Sequence, residues 1–278
     1  MVDKENLDCA KCPNMPSMNL YRKDEIEEYA GGELHILSIT LDENWGIYHN
    51  IGGLYGFFEV ILIDMHENLS NISLLHMMMW QCARDLKASI FLAFCGHYRQ
   101  AMMVMRGALE IFIYGAYFQL KTNSAKSKEE KEELEKLCED WRKGTRDKKS
   151  FSAVTKELKS EGKLSAETKK ITIAIYYGVL SKHIHTFIGD DVERVFNNED
   201  GRMPIRKSST FYDNSYLNKC SETLIELFSL ISEVLQRFSP KLTTKGEDGL
   251  RRLKSLLKIL KDDKSRAVAF TSCSKITI

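Results

Sequence analysis

Hydrophobic residues are most concentrated in two runs: SLLHMMMWQCARDLKASIFLAF, beginning near Asn71, and YRQAMMVMRGALEIFIYGAYFQL from Tyr98. Only Cys95-Gly96-His97 separates them. Each run covers several helical turns and the gap holds nothing longer than a tight turn, so together they predict an antiparallel helix pair. The second run, Tyr98 to Leu120, is apolar nearly all round, which marks a central core helix.

Upstream, Asp42 reads as an N-cap opening a long apolar segment that reaches Met65. Gly52, Gly53 and Gly56 lie inside it. Each weakens a helix interior by about 1 kcal/mol, so they predict close packing or a local break. Before Asp42, Pro13, Pro16 and Gly31-Gly32 punctuate a polar stretch. Residues 1–41 therefore read as an irregular arm, with His35 to Leu41 as a candidate short strand.

Downstream, Ser124 to Glu139 is dense in Lys and Glu and predicts an exposed helix. A short helix follows over Val154 to Leu158. Ser165 opens another that runs through ITIAIYYGVLSKHIHTFI. Asp190 to Thr210 is polar, contains Gly201 and Pro204, and reads as a loop before a helix from Asp213 to Phe238. A last amphipathic helix spans Asp248 to Leu260. The fold class expected is all-α: a helical bundle over residues 42–240, with a basic amphipathic helix and tail over 241–278.

Composition agrees with helices, because 4 prolines and 16 glycines in 278 residues are few for a turn-rich chain. Lys and Arg number 40 against 39 Asp and Glu, so no global field favours nucleic acid or an anionic membrane. The exception is local: Lys241 to Arg266 holds nine basic and four acidic residues among regularly spaced leucines, a pattern suited to docking on a partner, a membrane or RNA phosphates.

Seven cysteines without framework spacing point to reduced thiols. The N-terminus carries no apolar signal run, so a cytoplasmic location is expected. Trp45 to Met65 contains Glu59 and Asp64, and Tyr98 to Leu120 contains Arg99, Arg106 and Glu110. No integral membrane segment is expected from either.

Charges in a core helix need partners. Arg99, Arg106 and Glu110 fall at spacings of seven and four, on one stripe, with Arg106 in reach of Glu110. Tyr177, Ser181 and His185 recur every fourth residue on the later helix and define a second stripe. A histidine transfers protons near neutral pH and a hydroxyl can orient a substrate. Both stripes also have a plain structural reading as hydrogen-bonded core groups.

The segment from ARDLKASIFLAFCGHYRQAMMVMRGALEIFIYGAYF through WRKGTRDKKSF to YYGVLSKHIHT resembles uncharacterised prokaryotic helical proteins related to the HEPN superfamily. A HEPN-like core of about 71–188 follows from that resemblance. It implies that the Arg106/Glu110 helix packs beside the Ser181/His185 helix, and that the chain is a homodimer. It also implies metal-independent RNA cleavage in stress or antiphage defence, with His185, Arg106, Glu110 and Ser181 as the catalytic set and Arg99 and Tyr177 as ligand contacts.

The chain departs from the nuclease pattern of that superfamily, an Arg followed after four to six residues by a His. Leu180, Val179 and Gly178 stand where the arginine would precede His185. Arg106 would have to replace it in space. The other reading is a catalytically silent helical binding or scaffold protein.

Cys9-Ala-Lys-Cys12 has metal-knuckle spacing but no second close pair, and His183 and His185 point to different helical faces. No metal and no cofactor is assigned. The methionines at 77–79, 102, 103 and 105 read as core filling. No phosphate-binding glycine loop, serine-hydrolase elbow or metalloprotease motif is present.

Overall fold

The predicted hairpin forms the centre of the fold, with helices α2 (Leu74–Phe94) and α3 (Tyr98–Ser124) packed along their length. A computed structural model describes residues 23–68, 73–144, 149–181, 213–238 and 242–262, without the side chains of 23–30, 32 and 33. Ser73 caps α2 by accepting from the His76 N–H at 3.1 Å. Gly96 takes φ 81° in the turn, a conformation open to glycine. Gly115 lets the two axes close up: a Cβ there would lie 2.5 Å from the Met78 Cβ.

Helix α1 (Lys23–Asn68) is longer than the sequence pattern predicts. Residues 23–41 are helical, which corrects both the irregular arm and the short strand expected there; residues 1–22 lie outside the described residues. Asp42 is not an N-cap but lies inside the helix, and the break falls two residues later at Asn44 (φ −126°, ψ 30°). The helix runs unbroken through Gly52, Gly53 and Gly56, since packing on neighbours outweighs intrinsic propensity.

Short helices complete one flank of α3: α4 (Lys128–Lys143), α5 (Phe151–Ser160) and α6 (Ala166–Ile173). Ser127, Ser150 and Ser165 supply side-chain N-caps to the three. From Ala174 to Leu180 the chain continues from α6 as a π-helical segment, which packs on α3.

Helix α7 (Asn214–Phe238) crosses the hairpin, and Phe228 meets Phe58 of α1 edge-on at 6.0 Å. Helix α8 (Thr244–Asp262) starts one turn before the predicted boundary and packs against α1 and α7, burying Leu253 and Leu257. Its start is set by buried Asp64, which accepts from the Thr243 N–H at 2.9 Å and from the Thr243 hydroxyl.

The described residues are almost all helical and contain no strand, so the fold is all-α. Among them α3 is the one helix long and apolar enough to cross a membrane, and 61% of its most apolar window is buried inside the fold. The loop predicted over Asp190 to Thr210 lies outside the described residues.

Candidate functional site

The π-helical segment is where two polar groups of residues meet. A π turn closes i→i+5 hydrogen bonds and is uncommon, often marking a functional position. Here the Ser181 N–H and its hydroxyl both donate to the Tyr176 carbonyl, at 2.9 and 2.5 Å. The wider turn shifts the side-chain register, so Tyr176, not Tyr177, is turned onto α3.

At α3 the Tyr176 hydroxyl accepts from Arg106 Nη2 at 2.9 Å and donates to Glu110 Oε1 at 2.5 Å. Arg106 Nε reaches the same carboxylate oxygen at 3.3 Å. The guanidinium also lies against the Tyr176 ring, 4.6 Å from its centre. Phe151 stacks on the same Tyr176 ring at 3.9 Å and 11°. Arg106 and Glu110 remain 18% and 22% exposed, so the cluster is half-buried and open to solvent on one side.

Electrostatics follow from that geometry. Burial, and then the hydrogen bond to Glu110, push the Tyr176 phenol up to about 12, although Arg106 acts the other way. Neighbouring Tyr114 is pushed to about 12 by burial and by Glu110, and its hydroxyl donates to the Lys149 carbonyl. Burial works against the Arg106 charge, but its bonds to Tyr176 and Glu110 outweigh that and raise its pKa further. The trio is therefore a fixed cation, a carboxylate and a neutral hydroxyl. Proton transfer near pH 7 needs a group that titrates there, and Tyr176 does not.

The remaining expected site residues fall as follows. Arg99 is exposed in the first turn of α3, two turns or about 10 Å along the axis from Arg106. Tyr177 is 49% exposed and meets Tyr176 edge-on at 4.7 Å, beside the cluster. Ser181 directs its hydroxyl to the backbone of the π turn. His185, with His183, lies outside the described residues.

Tyr176, Phe151 and Tyr114 join the site although spacing did not single them out. The tandem Tyr176-Tyr177 was the available signal, because one of two adjacent large side chains must face the core. Further along α3, Lys121 meets Lys149 of the segment before α5: the two share the Glu157 carboxylate and flank the Tyr117 ring at 5.6 and 5.2 Å.

Among the described residues no three His, Cys, Asp or Glu side chains are grouped to hold a metal ion. Cys82, Cys95, Cys138 and Cys220 are buried. Burial pushes the Cys138 thiol up to about 11 and the Cys220 thiol to about 12, far from the range of reactive thiolates. Compared with known proteins, the chain matches no family model, no curated protein and no solved structure.

Proposed function

We propose that this is a HEPN-like helical protein that acts on RNA in stress or antiphage defence, with Arg106 as the phosphate-binding cation of a metal-independent ribonuclease site. The observation that carries the reading is the Arg106–Tyr176–Glu110 cluster. Its guanidinium is aimed before any ligand arrives, keeps donors beyond those used by Tyr176 and Glu110, and faces solvent on one side. In this reading Arg106 steadies charge on the phosphodiester, Tyr177 offers an exposed ring for a base to stack on, and His185 moves the proton. Glu110 and Tyr176 are positioning residues.

A second reading, a silent scaffold or binding protein, is favoured by one specific observation. The Arg106 charge already has two acceptors within the chain, and the Ser181 hydroxyl is committed to the backbone.

Incubating labelled single-stranded RNA with the purified protein in excess chelator separates the two. Under the ribonuclease reading the wild type cleaves, His185→Ala abolishes cleavage with an almost unchanged Tm, and Arg106→Met lowers it strongly. No cleavage by the wild type, together with a destabilised His185→Ala variant, refutes the catalytic assignment and selects the scaffold.

A further inference from the structure

Helix α3 carries a second group of cations on the stripe that holds Arg106. Arg106, Glu110, Tyr117 and Lys121 follow one another at spacings of four, seven and four, so they share one face of the helix. Lys149, just ahead of α5, joins Lys121 there: both ammoniums meet the Glu157 carboxylate and both stand over the Tyr117 ring. The arrangement repeats that of Arg106, a cation set against a tyrosine ring and held by a carboxylate. Its charge balance differs. Two ammoniums share one carboxylate and leave a net positive charge, whereas Arg106 and Glu110 balance.

We propose that Lys121 and Lys149 form a second phosphate-binding station, which extends the Arg106 site into a track for single-stranded RNA along α3. The inference rests on the ribonuclease reading above and names the length of strand that site takes. The lysine side chains are 37% and 44% exposed, so an anion can reach them. Each ammonium has three hydrogens to donate, more than its bond to Glu157 uses. The hydrogen bonds from Lys121 and Lys149 hold the Glu157 carboxyl below its ordinary 4.5, so it stays ionised and keeps both cations in place. The second lysine brings a like charge beside the first, and a phosphate between them relieves that repulsion.

The distance between the two stations is fixed by the fold. Tyr117 lies eleven residues beyond Arg106, or about 16 Å along the axis. Residues 149–151 tie the stations together: the Lys149 carbonyl accepts from the Tyr114 hydroxyl, and Phe151 stacks on Tyr176. A stacked strand rises about 3.4 Å per nucleotide, so about five nucleotides reach from one station to the other.

Fluorescence anisotropy with a labelled 2′-O-methyl oligouridylate of about eight nucleotides, between about 50 and 200 mM salt, tests the track. The methylated strand cannot be cut through its 2′-hydroxyl, so binding is read apart from cleavage. Lys121→Gln/Lys149→Gln should weaken binding about tenfold at the low-salt end and flatten the slope of log affinity against log salt by about 1.4, two phosphate contacts at about 0.7 each. Lys121→Arg/Lys149→Arg should restore both, which a merely structural role for the pair does not require. If the double glutamine variant loses its fold, Lys121→Gln alone leaves Lys149 on Glu157 and should flatten the slope by about 0.7. An unchanged slope in these glutamine variants, with binding still weakened by Arg106→Met, overturns the second station and leaves the ribonuclease reading standing. No binding by the wild type overturns both.

Discussion

The Tyr176 hydroxyl takes one hydrogen bond from Arg106 and gives one to Glu110, so Tyr176→Phe deletes both while leaving the ring on Phe151. Urea unfolding should show a loss of about 1 kcal/mol, the usual net worth of a half-buried hydroxyl network. A loss below a few tenths would mean that the three groups do not act together. The same hydroxyl gives an alkaline signature. With folded pKa values raised to about 12, Tyr114 and Tyr176 stay protonated where an unfolded tyrosine ionises near its ordinary 10.0. Their contribution to stability is whole below about pH 10 and is lost as pH rises toward 12. Phenolate absorbance should therefore show late-titrating groups, one fewer in Tyr176→Phe; an unchanged late amplitude would place Tyr176 in water. Of this cluster, Arg106 and Glu110 were legible in the sequence because a spacing of four on an α-helix fixes a shared face. Tyr176 was not, because the period of four assigned to Tyr177, Ser181 and His185 assumes an α-helix, and the π turn adds a residue to that count.

Element boundaries were read well where a capping residue stands beside an apolar run. Ser165 opens α6, Gly96 closes the α2–α3 turn, and α7 begins within one residue of Asp213. The start of α1 was missed because Pro, Gly and polar residues before Asp42 imitate a loop, while a long helix is held by packing at its far end, where Ile51, Leu54, Phe58 and Ile61 are buried. The α2–α3 pair supplies two tests of its closeness. Leu109 is buried beside Cys82, Leu86 and Phe112, so Leu109→Asp places an unpaired carboxylate among apolar side chains. It should cost more than about 4 kcal/mol and leave little folded protein by circular dichroism. Gly115→Ala should cost about 1–3 kcal/mol by thermal melting, since its Cβ would meet the Met78 Cβ at 2.5 Å. A neutral Gly115→Ala would mean that the helices sit further apart.

At the scale of the whole molecule, the basic C-terminal helix belongs to the body. The sequence pattern left open whether its leucines face a partner or the core, because amphipathicity gives a face but not its occupant. Gly249 answers for one side: its Cβ would lie 3.2 Å from Val60 Cγ1 and 3.3 Å from Ile61 Cγ1, so α8 rides directly on α1. Asp64 and Gly246 lock the register. The Asp64 carboxylate receives the Thr243 N–H, and a Cβ on Gly246 would stand 2.2 Å from Asp64 Oδ2. Asp64→Ala removes that acceptor and Gly246→Ala drives a methyl into the carboxylate. Each should cost about 1–3 kcal/mol and expose the start of α8 to limited proteolysis. The two are not independent, however. Once Asp64 is alanine, the atoms that a Gly246 methyl would strike most closely are gone, and only the residue-64 Cβ remains, at 3.1 Å. The double variant should therefore be more stable than the sum of the single losses allows, by about 1 kcal/mol in a double-mutant cycle. Strict additivity would show that Asp64 and Gly246 do not share one contact.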